Sequence, residues 1–130
     1  MSRQTLRRVL LVEDDSDIRE IAEMALATVG GLDVLACGTG GEALRRVDEF
    51  DPQLAVVDVM MPGMDGPGLM AELRARPATR ALPIVFMTAK VQPEEMTRWR
   101  ALGAADVIAK PFDPMGLADR LRAIWAKLDG

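Results

Sequence analysis

Residues 54–62 read Leu-Ala-Val-Val-Asp-Val-Met-Met-Pro, so that four apolar residues run directly into the acidic Asp58. An ionised carboxylate costs several kcal/mol to bury without a compensating partner. A buried strand that ends on Asp is therefore expected to place it at the strand's carboxyl end. Open α/β sheets have their active sites at that edge.

Two other apolar segments end in the same way. Residues 9–12 are apolar and lead into the acidic run 13–15, and the apolar run 82–87 leads into Thr88. Runs of this length are typical of buried strands. Three predicted strands therefore end in side chains that carry oxygen.

Short apolar runs alternate with segments of helical spacing along the whole chain. Five βα units in a row predict a parallel sheet covered by helices on both faces. The predicted strands are residues 9–12, 32–37, 54–57, 82–87 and 105–109.

The predicted helices carry their own boundary signals. Apolar residues from Ile18 to Val29 follow the helical repeat and are expected to face mainly the core, before a Gly-Gly stop. Three further helices open on a Thr-x-x-Glu capping box, on a first-turn Pro and on an Asp-Pro N-cap. These three signals are Thr39 to Glu42, Pro93, and Asp113-Pro114.

Composition limits the classes of function. The 130 residues are expected to form one domain, with a basic lead-in at 1–7 and no output domain after the last helix. A net charge of −4 argues against direct nucleic-acid binding, because phosphate contacts need clustered cations. No segment resembles a membrane span or a signal peptide, so the cytoplasm is the expected compartment.

Metal chemistry is restricted to oxygen ligands. The chain has no His, and its single Cys37 lies in an apolar stretch, where a buried side chain is favoured over a reactive thiol. The carboxyl ends of parallel strands share one edge, so Glu13, Asp14, Asp58 and Thr88 are expected to converge there with Lys110. Several carboxylates in one crevice need a cation or a proton, and among cations Mg²⁺ prefers oxygen ligands.

Four motifs in this order resemble the receiver domain of bacterial two-component response regulators, of the stand-alone, single-domain type. The resemblance covers nearly the whole chain and implies a flavodoxin-like (βα)5 fold with strand order 2-1-3-4-5. The motifs are Glu13-Asp14, the run from Asp58 to Gly66 (Asp-Val-Met-Met-Pro-Gly-Met-Asp-Gly), Thr88-Ala89, and Lys110-Pro111-Phe112.

The resemblance implies a role for each matched position. Asp58 would accept a phosphoryl group, and Glu13 and Asp14 would bind Mg²⁺ together with Asp58 and the backbone carbonyl of Met60. Lys110 would pair with Asp58 or the phosphoryl group, and Thr88 would donate its hydroxyl. The protein would catalyse only its own phosphorylation and slow dephosphorylation, and would not act as an enzyme on other substrates.

The resemblance also implies partners. A chain without His needs a phosphohistidine donor, so the implied partner is a sensor histidine kinase or a histidine phosphotransfer protein, docking near the first helix and the loop after the fifth strand. The output would be an unknown protein target, with the chain a monomer or a phosphorylation-dependent dimer. The resemblance further implies a cis bond between Lys110 and Pro111.

Several positions keep two interpretations. Val107 stands where the family usually has an aromatic ring, so a switch based on that ring is in doubt, and Ala89, Lys90 and Pro111 are candidates for tuning the site. For Lys90, a solvated loop residue is the favoured interpretation over a contact with phosphate or hydrolytic water. Asp15 could tune the metal or cap the first helix. Trp99 could be a partner anchor or a partly covered surface residue, whereas Trp125 is expected in the core.

Two other functions compete with a phosphorylation switch. One is a receiver-like interaction module that is never phosphorylated, although the retained acids, Thr88 and Lys110 disfavour it. The other is a phosphatase with an aspartyl-phosphate intermediate. Such enzymes have a second Asp two positions after the nucleophile, where this chain has Met60.

Overall fold

Five strands alternate with helices from the first strand to the last helix of the chain. The structure, a computed structural model, describes residues 4–128. The strands are β1 (Arg8–Val12), β2 (Asp33–Cys37), β3 (Leu54–Asp58), β4 (Ile84–Thr88) and β5 (Asp106–Ala109). The helices are α1 (Ser16–Met24), α2 (Gly40–Phe50), α3 (Gly66–Arg74), α4 (Pro93–Ala101) and α5 (Leu117–Leu128).

The strands form one parallel sheet in the order β2-β1-β3-β4-β5, as predicted. Every residue of β3 and β4 is buried, including Asp58 and Thr88 at their carboxyl ends. Strands covered on both faces read as continuous apolar runs rather than alternating ones, because neither face meets water. From β1, the chain first adds β2 on one side and then crosses to add β3, β4 and β5 on the other side. The topological switch point of the sheet therefore lies between β1 and β3.

Two hydrophobic clusters cover the two faces of the sheet. On one face, α2, α3 and α4 contribute buried residues such as Val47, Leu69 and Trp99. On the other face, α1 and α5 contribute Ala22 and Leu121, together with residues following α1. The prediction of helices on both faces is confirmed.

The end of the first helix differs from the prediction. A π-helical turn, Ala25–Val29, follows α1, and the N–H of Gly30 donates to the carbonyl of Ala25 at 3.1 Å. The wider turn rotates the apolar stripe, so that Ala25 and Leu26 are buried while Val29 is exposed. Ile21, also predicted mainly as core, is 47% exposed.

The last helix also begins later than predicted. Asp113 does not cap α5, because the N–H of Met115 donates to its side chain at 3.0 Å and the N–H of Gly116 to its carbonyl at 3.1 Å. These bonds close a separate turn before Leu117. Trp125 is only half-buried, and its Nε1 donates to the carbonyl of Gln4 at 2.8 Å.

No helix between residues 4 and 128 combines the length and apolar character needed to cross a lipid bilayer.

Candidate functional site

Three carboxylates meet at the carboxyl edge of the sheet. Glu13 and Asp14 follow β1, and Asp58 is the last residue of β3, whose register pairs Val12 with Val57. One oxygen from each of the three carboxylates lies within 4.8 Å of the others. The predicted convergence of these acids is therefore present in the structure.

The three acids differ in exposure. Glu13 is 0% exposed and Asp58 is 2% exposed, whereas Asp14 is exposed. Burial and the hydrogen bond with the Asp58 carboxylate together raise the pKa of Glu13 to about 7, although the hydrogen bond to Lys110 lowers it. The cluster therefore opens to solvent at Asp14 and disfavours full ionisation without a cation.

Lys110 supplies the positive charge inside this cluster. Its Nζ lies 2.7 Å from Oε1 of Glu13 and 3.2 Å from Oδ1 of Asp58. Burial lowers the pKa of Lys110, but the hydrogen bond to Glu13 and the charges of both acids outweigh it, so the net pKa is raised. The predicted contact with Asp58 is present, whereas the closer contact with Glu13 was not predicted.

Contacts with the neighbouring strand β4 fix the position of the Lys110 backbone at the end of β5. Thr88 pairs with Ala109, and the N–H of Lys110 donates to the Thr88 carbonyl at 2.9 Å. The bond between Lys110 and Pro111 is cis, as predicted. Pro111 itself is exposed.

Thr88 is buried at the same edge, and its hydroxyl already takes part in a hydrogen bond within the loop that follows β4. Its hydroxyl accepts a hydrogen bond from the N–H of Lys90 at 3.0 Å, which shapes the β4–α4 loop. Ala89 and the Lys90 side chain are exposed. The structure therefore places Thr88 beside the site but does not bring the Lys90 ammonium into the acidic cluster.

The loop after β3 folds closely around Asp58. The N–H of Met60 donates to Oδ1 of Asp58 at 3.2 Å, while the Met60 side chain is exposed. The N–H of Gly66 donates to the Val59 carbonyl at 3.0 Å. A Cβ on Gly66 would lie 2.7 Å from the Asp58 carbonyl oxygen, so only glycine fits there without a shift.

Two acidic residues near the site act as helix caps. Asp15 accepts from the N–H of Asp17 at 2.9 Å and of Ile18 at 3.1 Å, which settles its open interpretation in favour of capping α1. Asp65 accepts from the N–H of Gly68 at 2.8 Å. Both are typical N-cap contacts.

Arg19 was missed by the sequence analysis. Its Nη1 lies 2.8 Å from the Glu13 carbonyl and 3.4 Å from the Asp14 carbonyl, so it ties α1 to the acidic loop. The available signal was its position one turn after Asp15, where a long cation can reach back toward the preceding loop.

Two apolar side chains near the site are buried. Trp99 is only 5% exposed, so it is neither a surface anchor nor a partly covered surface residue. Val107 is buried in the same cluster as Trp99 and Phe86. The β5 position that the resemblance expected to be aromatic therefore holds a small packed side chain.

The donor set fits a hard divalent cation. The cluster offers three carboxylates, and no His or Cys ligand belongs to it among the residues that the structure describes. Mg²⁺ binds through one or two carboxylates while keeping several waters. Glu13, Asp14 and Asp58 could therefore hold such an ion.

Comparison with protein families gives one matching model, described as the response regulator receiver domain, over residues 9–122. Among curated proteins, the chain is 38% identical over 117 residues to the DNA-binding response regulator MtrA of Mycolicibacterium paratuberculosis. That alignment covers 90% of this chain and 50% of the relative. The chain spans about half the length of the curated relatives it matches.

Solved structures with the same fold include a chemotaxis protein and a response regulator. The chemotaxis protein CheY4 of Vibrio cholerae is 28% identical with a TM-score of 0.83, covering 92% of this chain and 98% of that one. A response regulator from Desulfuromonas acetoxidans is 27% identical with a TM-score of 0.82, covering 94% and 98%. The chain therefore shares its overall fold with these proteins.

Proposed function

Since this chain belongs to the response regulator receiver domains, a family of two-component signalling, we propose that it accepts a phosphoryl group on Asp58 from a phosphohistidine of a partner protein. The phosphorylated form would change the surface that the chain offers to its next partner. The observation that carries this proposal is the placement of Asp58 between two acids and a lysine at the carboxyl edge of the sheet.

The proposed reaction is a transfer between two nucleophiles. An oxygen of Asp58 forms a bond to phosphorus while the bond from phosphorus to the donor's imidazole nitrogen breaks, and the imidazole leaves with its electron pair. The donor and the acceptor are both anionic, so the approach needs positive charge at the site. Lys110 would remain near the transferred group, and the Thr88 hydroxyl would turn from Lys90 to donate to a phosphoryl oxygen.

The site residues also support a Mg²⁺ requirement. Glu13, Asp14, Asp58 and the Met60 carbonyl would hold the ion, which when bound supplies charge neutralisation for the phosphoryl oxygens. Without such an ion, three carboxylates and one lysine leave the cluster with excess negative charge. Burial is the main cause of the raised pKa of Glu13, and the neighbouring Asp58 carboxylate adds to it.

An apolar cavity beside Lys110 supports a docking site for the phosphodonor. Ile18 and Ile21 of α1 line a cavity of about 460 Å³ together with Ala89, Pro111 and Phe112 of the neighbouring loops. The exposed apolar side chain of Ile21 is not needed for the core, which supports a contact with another protein. We propose that a sensor histidine kinase or a histidine phosphotransfer protein binds there.

The other partners follow from the same family role. We propose an unidentified protein target for the phosphorylated form, no reaction catalysed on other substrates, and a cytoplasmic location. The mycobacterial relative is named as DNA-binding, but this chain aligns with half of it and has a net charge of −4. We therefore propose no direct DNA contact by this chain, either as a monomer or as a phosphorylation-dependent dimer.

The test is phosphorylation with a small donor. Incubation with acetyl phosphate and Mg²⁺ should add the mass of one acid-labile phosphoryl group, and Asp58→Asn or EDTA should abolish the gain. No gain with any donor would support an interaction module that is never phosphorylated. Rapid turnover of phosphomonoesters would support the phosphatase, against which Met60 already argues because it provides no second acid.

A further inference from the structure

Helix α4 packs on the sheet mainly through Trp99, with the half-buried Met96 beside it. Trp99 is the one buried residue among Pro93–Ala101, and most of its neighbours on the helix are exposed. The N-cap Gln92 makes no side-chain capping bond to the first turn. A short helix with one buried anchor and an uncapped start is expected to move more easily than its neighbours.

In this conformation, the buried Trp99 side chain lacks a hydrogen-bond acceptor among the described residues, although its ring is well packed. The Trp99 ring lies edge-on to Phe86 of β4, with centroids 5.6 Å apart and an interplanar angle of 80°. The Arg98 guanidinium lies over the ring, 4.8 Å from its centroid. Yet Nε1 of Trp99 is buried and finds no acceptor among residues 4–128. A buried donor without an acceptor costs free energy that a small movement could recover.

The Trp99 ring also lines a cavity that reaches Thr88 at the carboxyl edge of the sheet. A cavity of about 570 Å³ is lined by Trp99, Thr88, Lys90 and Met60, among other residues. Thr88 and Trp99 therefore face the same open volume, and the cavity provides room for the ring to shift. A side chain in a fully packed interior would not have that freedom.

We propose that Trp99 is the positioning residue that carries the state of Asp58 to α4. When Thr88 turns toward the phosphoryl group, the β4–α4 loop moves, the Trp99 ring shifts within the cavity, and its indole N–H gains an acceptor. The helix follows because the ring is its buried anchor. This inference rests on the proposed function and adds the residue through which the signal leaves the site.

The indole N–H signals of the two tryptophans provide a direct test. In ¹H–¹⁵N spectra of the full chain, assigned with Trp99→Phe and Trp125→Phe, beryllofluoride with Mg²⁺ should move the Trp99 indole proton downfield. The Trp125 signal should stay in place, because that indole already donates to Gln4. Asp58→Asn should remove the shift, and ¹⁹F spectra should report whether beryllofluoride is bound.

Hydrogen exchange separates a positioning role from a packing role. Activation should change deuterium uptake across residues 93–101 in the unsubstituted protein and in Trp125→Phe, and this change should be lost in Trp99→Phe. Phe keeps a ring in the core, and beryllofluoride binding should persist in both variants. If Trp99→Phe does not fold, the indole shift of the unsubstituted protein still decides the question.

Two results would overturn the inference. One is an unmoved Trp99 indole signal in a protein whose bound beryllofluoride is visible by ¹⁹F. The other is an unchanged exchange response of α4 in Trp99→Phe. Failure of the chain to bind beryllofluoride or to gain a phosphoryl group is a different result, since it removes the proposed function and this inference with it.

Discussion

Lys110 is the residue on which the charge balance of the site depends. It contacts Glu13 at 2.7 Å and Asp58 at 3.2 Å, and both acids are buried. Buried acids that share one cation are sensitive to its removal, because each then loses its charged partner and keeps only neutral hydrogen-bond donors. The same arrangement explains why a bound divalent ion would be stabilising.

Removing the lysine should therefore destabilise the protein in the absence of metal. We expect Lys110→Ala to lower the free energy of unfolding by roughly 3 kcal/mol, as for other buried pairs that lose one partner. Urea unfolding in EDTA would measure the loss. The exposed Lys127→Ala on α5 is the control and should change stability by less than about 0.5 kcal/mol. Equal stabilities for the two variants would show that the ion pairs contribute nothing.

Glu13 should make stability depend on pH. Its folded pKa of about 7 lies above the ordinary value of 4.5, so the folded state holds the proton more tightly than the unfolded state. The stabilising contribution is fully present below pH 4.5 and is lost as the pH rises through about 7. At about 1.4 kcal/mol per pKa unit, the loss is roughly 3 kcal/mol at most.

The comparison with Glu13→Gln isolates this effect from other titrating groups. In EDTA, the unsubstituted protein should lose stability relative to the variant as the pH rises from 4.5 to 7. A difference that is constant over this range would contradict the raised pKa.

At the scale of elements, the loop between β3 and α3 shapes the site. Gly66 begins α3 and lies against the backbone of Asp58 and Val59, where a Cβ would approach within 2.7 Å and 2.9 Å. Both contacting atoms belong to the backbone, so they cannot rotate away as a flexible side chain could. Any side chain at this position must displace the strand end that holds Asp58.

We predict that Gly66→Ala costs about 1–3 kcal/mol of stability, as for other overpacked sites, and slows phosphorylation by acetyl phosphate. Gly41→Ala, in the first turn of α2, is the matched control. A Cβ there would meet its nearest atoms at 3.5 Å, an ordinary contact, so helix propensity should make that substitution neutral or favourable. Thermal unfolding and intact mass would measure both effects, and equal behaviour of the two variants would refute the steric argument.

At the scale of the whole molecule, metal binding should be linked to global unfolding. The acids come from separate segments after β1 and β3, and the unfolded chain cannot hold them together. At a hundred times its dissociation constant, Mg²⁺ should raise the free energy of unfolding by about 2.7 kcal/mol.

Asp14→Asn provides the control for this prediction. Asp14 is exposed, so its substitution should leave metal-free stability nearly unchanged while weakening the gain from Mg²⁺. Urea unfolding at constant ionic strength separates metal binding from salt screening. The same gain in both proteins would mean that the ion binds elsewhere.

Much of this architecture could be predicted from sequence because it depends on periodicity and on strand ends. Asp58 and Lys110 were expected at one edge since parallel strands share their carboxyl side, and the structure brings the two within 3.2 Å. The closer pairing of Lys110 with Glu13 was missed, because side-chain reach is set by packing rather than by spacing. The burial of Trp99 was also missed, because α4 is rich in charged residues and shows no clear helical repeat of apolar residues around Trp99.

The most direct measurement of the central claim is the position of the phosphoryl group. Treatment of the acetyl phosphate product with borohydride reduces an aspartyl phosphate to the corresponding alcohol, which peptide mass spectrometry can locate. We predict reduction at position 58 alone, and only after incubation with Mg²⁺. Reduction at Glu13 or Asp14, or a phosphorylated chain with no reducible carboxyl phosphate, would contradict the assignment of Asp58 as the acceptor.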